Sequence, residues 1–246
     1  MKILVCISNV PDTTTKVKFK DGKEFDKTGV QWIINPWDEL ALTRAIELKE
    51  ASGGKIQNIT VINVGAKDTE PTIRKALAMG ADEAIRIDTE AKDAFQVAGE
   101  IAEAVKDAGF DLILAGIESS DFNGSTVGGL LAEFMDVQSV SAVSGVDFEN
   151  DTFKVKREID GGYEILQVPT PFVAIVQKGI AIDPRIPNMR GIMMAKKKPL
   201  NVVAAKGKEP ATEYLGYEMP KPKPPVKLVE TAQELIELLH TEAKVF

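Results

Sequence analysis

Short apolar runs alternate with helical patterns along the first half of the chain, and this alternation restricts the fold more than any other feature. ILVCI, within residues 2–7, and LILA at 112–115 contain no polar residue, which is typical of strands buried on both faces. NITVINV at 58–64 and AIRI at 84–87 predict two further strands. Helical patterns separate these strands, at about residues 36–51, 70–79 and 94–108. The alternation implies an α/β fold, with a parallel sheet, right-handed crossovers and a ligand crevice at the carboxyl ends of the strands.

Three predicted loops converge on that crevice: the loop after Ile7, the loop after Val64, and residues 119–129. The third is built of small and polar residues and leads into a helix at Gly128 and Gly129. Free backbone N–H groups at a helix start attract anions, and residues without bulk let an anion approach. This stretch therefore predicts either a phosphate-binding loop or an ordinary strand-to-helix turn, and the local pattern does not separate the two.

The first helix has a well-defined predicted start. Asn35 is suited to the N-cap, Pro36 to the first helical position, and Asp38 places negative charge in the first turn. Upstream, we expect Pro11 to block strand pairing and residues 16–26 to form a hairpin.

The pattern changes after residue 138. Residues 143–177 predict a β-meander, with turns at 149–151 and 160–162. Residues 179–199 have no clear periodicity, and 200–204 predict a last short strand.

At 246 residues, the chain can form one large α/β domain, or one domain with a tail. Residues 206–225 are rich in Pro, Lys, Glu and Gly, which indicates an extended arm with little core of its own. An amphipathic helix follows at 230–243, with Leu235, Leu238 and Leu239 on one face. A helix on such an arm needs a docking surface, for which another chain is a candidate.

Composition argues against several kinds of chemistry. The chain has one cysteine, Cys6, and one histidine, His240, so we expect no internal disulfide, no histidine-based triad and no multi-ligand metal site. A net charge of −7 disfavours nucleic-acid binding. No apolar run approaches the roughly 18 residues of a membrane-spanning helix. The start, MKILVCISNV, leads into a strand pattern rather than a cleavable signal, so we expect a cytoplasmic protein without membrane insertion.

Three motifs resemble the β subunit of the electron-transfer flavoproteins: TIRKALAMGADEAIRI at 72–87, VKREIDGG at 155–162 and PNMRGIMMAKKK at 187–198. Their order and spacing agree with that family, and the resemblance covers essentially the whole chain. It implies a heterodimer in which the α subunit carries a redox-active FAD and the β subunit binds AMP as a structural cofactor. The β subunit then has no catalytic residues of its own.

The resemblance also implies a domain division. Residues 1–205 would form a Rossmann-like nucleotide-binding domain of the adenine-nucleotide α-hydrolase type, with a β-meander addition and a recognition loop at 184–198. Residues 206–246 would form an extended arm ending in a helix that docks on the α subunit.

Carried over position by position, the AMP contacts fall on the predicted crevice loops and on the start of the first helix. These positions are Cys6, Asn35, Pro36, Trp37, Asp38, Val64, Gly65, Asn123, Gly124, Ser125, Thr126, Val127, Gly128 and Gly129. Backbone N–H groups of residues 125–128 would then hold the phosphate. Asn35 would cap its helix, bind the ribose or adenine, or do both. Cys6 would be a small wall of the adenine pocket rather than a reactive thiol, and Trp37 would pack in the core or an interface, with adenine stacking as its alternative role.

Two further positions concern partners. Thr13 stands where some relatives carry a tyrosine facing the flavin ring of the α subunit, so a flavin contact from Thr13 is an open question. In the recognition loop, the side chain that anchors partner dehydrogenases corresponds to Met189, next to Arg190 and Ile192. The alternative interpretation makes Met189, Ile192, Met193 and Met194 core residues. Residues 196–198, three lysines, either steer acidic partners or form a solvated charged turn.

The resemblance implies an electron carrier that takes electrons from acyl-CoA or other flavin dehydrogenases, as in fatty acid oxidation. It would pass them to an electron-transfer flavoprotein–quinone oxidoreductase. Two alternatives stay open. Electron-bifurcating relatives bind a second FAD in place of AMP, but their loop resembles GDTAQVGP, where this chain has FNGSTVGG. Nucleotide-binding proteins of the universal-stress type share the sheet architecture, but residues 116–129 do not reproduce their phosphate pattern, and they lack a Pro-rich arm.

Overall fold

A nine-stranded sheet forms the centre of the larger of two compact units in the computed structural model, which describes residues 1–246. The larger unit comprises Met1–Val17 and Lys27–Tyr214, and the smaller one Lys18–Asp26 and Leu215–Phe246. The strands are β1 (Lys2–Cys6), β2 (Asn9–Pro11), β3 (Phe19–Lys20), β4 (Glu24–Phe25), β5 (Trp32–Ile34), β6 (Asn58–Val64), β7 (Glu83–Asp88), β8 (Leu112–Gly116), β9 (Gln138–Glu149), β10 (Thr152–Ile159), β11 (Gly162–Val168), β12 (Phe172–Val176) and β13 (Leu200–Ala204). The helices are α1 (Pro36–Ala51), α2 (Glu70–Met79), α3 (Ala94–Val105), α4 (Val127–Phe134), α5 (Met189–Ala195) and α6 (Ala232–Thr241), with a short 3₁₀ turn at Lys67–Thr69.

The strand order of the large sheet is β11-β10-β9-β12-β8-β1-β6-β7-β13. All neighbouring pairs from β9 to β13 are parallel, and only β10 and β11 run antiparallel to their neighbours. From β1 the chain moves outward through β6 and β7, and β8 then pairs on the opposite side of β1. The predicted α/β class with a mostly parallel sheet is thus confirmed, and the strand order reverses between β1 and β8.

Helices cover both faces of the sheet. Ile3 and Val5 of β1 belong to one core cluster together with residues of α1 and α2. Leu4 and Cys6 belong to a second cluster, together with residues of α3 and α4. Because both faces of β1 are buried from Ile3 to Cys6, these four residues are all apolar and do not alternate with polar ones.

Several predicted boundaries are confirmed. α1, α2, β6 and β13 have the predicted bounds, and α3 ends at Val105, three residues before the predicted end. Strands β9, β10 and β11 form the predicted meander, and its turns contain left-handed residues at Asn150, Asp151 and Gly161.

Two expectations were wrong. Pro11 does not prevent pairing, because it lies in β2 opposite Trp32 of β5. The flanking residues Ser8 and Asp12 carry the backbone bonds of this ladder, and Pro11 occupies an alternating position where no N–H is required. The segment FVAIV is not part of the meander, since β12 lies parallel between β8 and β9 with every residue buried. The aperiodic stretch 179–199 contains α5, which at seven residues is too short to show a helical period.

The beginning of the predicted arm belongs to the larger unit. Glu100 of α3 is buried and accepts hydrogen bonds from the backbone N–H groups of Lys206 and Lys208, both at 2.7 Å. Asp93, the N-cap of α3, accepts bonds from the N–H groups of Ala211 and Thr212. Two carboxylates therefore hold this part of the chain along α3.

The smaller unit contains the predicted hairpin, β3 and β4, and the C-terminal segment. The ring of Phe19 stacks on Tyr217 at 4.6 Å between centroids, and the N–H of Tyr217 donates to the carbonyl of Gly22. Thr231 caps α6, and no residue of α6 is buried. None of the six helices combines the length and apolar character that a membrane crossing requires.

Candidate functional site: the crevice between β1 and β8

A buried carboxylate joins the ends of the two strands at which the sheet order reverses. Asp38, in the first turn of α1, accepts a hydrogen bond from the N–H of Ser8, just after β1, at 2.8 Å. Its other oxygen accepts from the N–H of Gly116, the last residue of β8, at 3.1 Å. A Cβ at position 116 would collide with the Asp38 carboxylate and lie 2.8 Å from the Cβ of Trp37. Gly116 therefore lets α1 approach the strand end closely.

The side chain of Asp38 is buried. Burial raises the pKa of Asp38 to about 7, although hydrogen bonds from Ser8, Asn35 and Gly116 favour the ionised form. Burial, with a smaller contribution from Asp38, also raises the pKa of the Cys6 thiol well above its usual value. The thiol is therefore protonated at neutral pH and a poor nucleophile.

Asn35 has a different role from the one its position predicted. It lies at the N-cap of α1, but its side chain makes no capping bond. Instead its amide nitrogen donates to the carbonyl of Glu118 at 2.8 Å, and its amide oxygen accepts from the N–H of Ser120 at 3.1 Å. The capping interpretation of this side chain was wrong, because two backbone groups of the loop after β8 are its partners. Those partners lie more than 80 residues further along the chain, so no local pattern could indicate them.

The loop after β8 leads into α4 without a capping side chain. Asn123 and Ser125 have left-handed backbone conformations, with φ of 48° and 50°. Residues 123–126 are exposed, and Thr126, at the N-cap position, makes no side-chain capping bond. The hydroxyl of Ser125 donates instead to a carboxylate oxygen of Glu118 at 3.0 Å. The first turn of α4 thus opens onto solvent, with one carboxylate near it.

The glycines at the predicted site differ in how much space a side chain would have. A Cβ on Gly128 would lie 2.7 Å from Cγ1 of Ile175, so α4 packs closely on β12 at this residue. A Cβ on Gly129 would have no neighbour within 4 Å. On Gly65, a Cβ would lie 2.5 Å from Cγ2 of Thr69, because the chain turns sharply after β6.

The end of β6 lies beside the end of β1. Val64 is buried, and the side chain of the preceding Asn63 donates to the carbonyl of Ile7 at 2.9 Å. The structure thus places Cys6, the start of α1, Val64 and the loop after β8 at one edge of the sheet. The sequence reasoning missed Ser8, Asn63, Gly116 and Glu118. Of these, only Asn63 carried a local signal, as a polar residue inside an apolar strand.

Thr13 lies apart from these contacts. It is exposed within a turn in which Asp12 accepts hydrogen bonds from the N–H and hydroxyl of Thr14. Its side chain is exposed, and the structure does not test a flavin contact from Thr13.

The segment around Met189 is exposed rather than part of the core. Met189 is 75 % exposed, and Ile192, Met193 and Met194 are exposed as well, so the interpretation of these residues as core was wrong. Lys196 and Lys197 are exposed, whereas the ammonium group of Lys198 donates to the carbonyls of Leu77 and Ala81. A solvated charged turn therefore describes the first two lysines but not the third.

Two surface grooves lie away from the crevice. One, at the amino ends of the strands, is lined in part by Lys2 and Phe110, and the other in part by Lys49 and Arg185. Their charged side chains already have protein partners: Lys2 bonds to the carbonyl of Ala108, Lys49 to Asp82 and Arg185 to Glu50. The crevice is the stronger candidate, because polar groups from four segments converge there at the reversal of strand order.

Fold and site together define an open, doubly wound α/β protein with a polar crevice at its switch point. A family model described as "Electron transfer flavoprotein domain" matches residues 23–207. The electron transfer flavoprotein subunit beta of Bacillus subtilis (strain 168) is 34 % identical over the full length of both chains. The subunit of the same name from Syntrophomonas wolfei is 37 % identical, covering 91 % of this chain and 87 % of its own. The Bos taurus subunit is 34 % identical, covering 83 % and 82 %.

The chain belongs to the β-subunit family of the electron transfer flavoproteins. The resemblance inferred from the three motifs is thereby confirmed. Membership assigns the chain a role as a subunit in flavin-linked electron transfer.

Proposed function

We propose that this chain binds AMP as a structural cofactor in the crevice and pairs with an FAD-bearing α subunit. The observation that carries the proposal is the convergence at the switch point. There Asp38 joins β1 to β8, Asn35 fixes the following loop, and the uncapped start of α4 lies next to them. Uncapped N–H groups beside a small-residue loop suit a phosphate, and the buried wall at Cys6 and Val64 suits an adenine.

The crevice is suited to holding a nucleotide and not to transforming it. Phosphoryl transfer needs a cation or metal-binding carboxylates at the phosphate, and the loop 117–126 contains neither lysine nor arginine. No group of three or more His, Cys, Asp or Glu side chains is placed to hold a metal ion. AMP would thus stabilise the folded subunit, and the redox chemistry would be that of FAD in the α subunit.

The C-terminal segment supports pairing with another chain. Leu215, Val226 and Leu228 are each more than 80 % exposed, and Leu235 and Ile236 of α6 are exposed as well. Exposed apolar side chains at this density are typical of a surface that a partner covers. We assign that partner as the α subunit.

The segment around Met189 supports a second contact, with flavin dehydrogenases. Met189 is a flexible apolar side chain in an exposed position, flanked by Arg190 and Ile192, and such side chains suit apolar pockets on several partners. Electrons would pass from acyl-CoA or other dehydrogenases to the FAD and then to a quinone-reducing acceptor. We further propose that the heterodimer is cytoplasmic and takes part in fatty acid oxidation.

The cofactor content of the pair, co-purified with its α subunit, tests the proposal. We expect one FAD and one AMP for each heterodimer. Two flavins and no AMP would instead identify a second FAD in the crevice. A chain that is stable alone, binds ATP tightly and does not associate with an α subunit would indicate a stand-alone nucleotide-binding protein.

A further inference from the structure

Residues 182–195, here called the docking segment, form a short exposed stretch that cannot be stable by itself. Ile182, Ile186 and Met189 are among the most exposed large apolar residues of the larger unit. α5, which ends the segment, has only seven residues, and isolated helices shorter than about 12 residues are marginal in water. Its conformation must therefore be held from outside.

Arg74 and Lys198 connect α2 and α5 through hydrogen bonds to carbonyl groups at the C-terminal ends of the two helices. Arg74 of α2 donates from one guanidinium nitrogen to the carbonyls of Ala195 and Lys198, both at 2.8 Å. Lys198, just beyond α5, donates from its ammonium group to the carbonyls of Leu77 and Ala81, at 2.9 and 2.6 Å. The last carbonyls of a helix lack partners within it and carry partial negative charge. Each helix thus receives its C-terminal cap from the other.

The backbones of the two helices also touch. A Cβ on Gly191 would lie 2.5 Å from the carbonyl oxygen of Ala78, so only glycine permits this approach. The N–H of Gly191 donates to the side chain of Asn188, which caps the start of α5. The front of the docking segment is fixed to α1, where the N–H of Arg185 donates to the hydroxyl of Thr43.

We propose that Arg74 and Lys198 are positioning residues for partner docking. The reciprocal caps keep the docking segment ordered before a partner arrives, so binding does not have to supply the cost of ordering it. This inference rests on the proposed docking function. It also links two of the motifs that carry the family resemblance, since Arg74 and Ala78 lie in TIRKALAMGAD and Gly191 and Lys198 in PNMRGIMMAKKK.

The order of α5 can be measured in the absence of a dehydrogenase. In the co-purified heterodimer, we expect Lys198→Met and Arg74→Met to accelerate amide hydrogen exchange in α5 by about tenfold or more, because buried carbonyls lose charged donors. Lys197→Met is the matched control, because Lys197 is exposed, and exchange in α5 should be unchanged. Arg74→Lys is the conservative variant if Arg74→Met fails to fold, and it should give an intermediate rate. Exchange in Lys198→Met equal to wild type would overturn the inference.

Docking is measured with a flavin dehydrogenase that reduces the wild-type heterodimer. Lys198→Met should raise the KM of the dehydrogenase for the carrier about tenfold, at unchanged kcat and unchanged FAD and AMP content. Because the ammonium group acts within the subunit, this change should not depend on salt, whereas loss of electrostatic steering would. If Met189→Ala raises KM but Lys198→Met does not, the positioning inference fails. If Met189→Ala also leaves KM unchanged, the docking function itself fails.

Discussion

Gly128 and Gly129 are adjacent in the first turn of α4, but their surroundings are opposite. An alanine Cβ at 128 would lie 2.7 Å from Cγ1 and 3.2 Å from Cδ1 of Ile175. At 129 the same atom would meet nothing within 4 Å. The pair therefore separates the packing of α4 on the sheet from the general effect of replacing a glycine in a helix.

The two substitutions should change the stability of the subunit in opposite directions. Carbon atoms pack best at about 3.5 Å or more, so Gly128→Ala must move α4 or Ile175 by about 0.8 Å. Overpacking of this kind costs about 1–3 kcal/mol, against a gain of up to about 1 kcal/mol in helix propensity. We expect Gly128→Ala to destabilise the subunit by up to about 2 kcal/mol. Gly129→Ala should stabilise it by about 0.5–1 kcal/mol, because only the propensity gain applies.

Thermal unfolding of the co-purified heterodimer measures the difference. For a chain of this size, each kcal/mol of stability shifts the melting temperature by about 2–4 °C. The Gly128→Ala variant should therefore melt several degrees below the Gly129→Ala variant. In a double-mutant cycle, Gly128→Ala should cost less in an Ile175→Ala background, where the colliding atoms are gone. Equal melting temperatures for the two glycine variants, or additive effects in the cycle, would refute the packing argument.

The same variants test the proposed nucleotide site. Displacement of α4 moves the N–H groups that would face the phosphate, so Gly128→Ala should lose AMP and weaken heterodimer assembly. Gly129→Ala keeps its N–H group and its backbone position, and should retain AMP. Normal AMP content in Gly128→Ala would contradict the assignment of this helix start to the phosphate.

Three further outcomes are expected. Burial raises the pKa of Asp38 to about 7, above the roughly 4 of an unfolded aspartate, so the native state retains a proton that the unfolded state loses. The free energy of unfolding should therefore fall by up to about 4 kcal/mol between about pH 4 and pH 7, and Asp38→Asn should flatten that slope in urea titrations. Met189→Ala should slow reduction by dehydrogenases at unchanged FAD and AMP content, and an unaltered rate would remove Met189 as the anchor. Glu118→Gln should raise affinity for AMP but not for adenosine in calorimetry, because the carboxylate beside Ser125 repels only a phosphate, and equal gains for both would contradict this.

The elements that the sequence predicted well are those whose signals are local. α1 begins at Pro36 because the proline fits the first turn, where no N–H partner is needed. β1 and β8 were predicted because strands covered on both faces are apolar throughout. β12 has the same kind of sequence but was assigned to the meander, because it follows two antiparallel strands in the chain. Its parallel position between β8 and β9 depends on pairing between strands that are distant in the chain, which no local pattern contains.

The candidate site was predictable as a place and not as a set of bonds. The carboxyl ends of parallel strands meet at one edge, so the convergence of the loops followed from the alternation of strands and helices. The partners of Asn35 and Asp38 could not be predicted in the same way, because a side chain at a helix start satisfies whichever distant backbone groups the fold brings to it. Lys198 shows the same limit, since one of three consecutive lysines is a cap while its neighbours are solvated.

α1 gives a physical reason why the proposed AMP would be useful as a structural cofactor. Its first turn supplies Asp38 to the crevice, and Thr43, five residues or about 7.5 Å further along the helix, binds the front of the docking segment. A ligand that binds only the folded crevice stabilises that fold by about 2.7 kcal/mol at a hundred times its Kd. Because one helix supports both features, such a ligand would stabilise the platform of the docking segment as well as the crevice. In the proposed role, AMP would therefore support electron transfer without reacting, because it would stabilise the helix that carries both features.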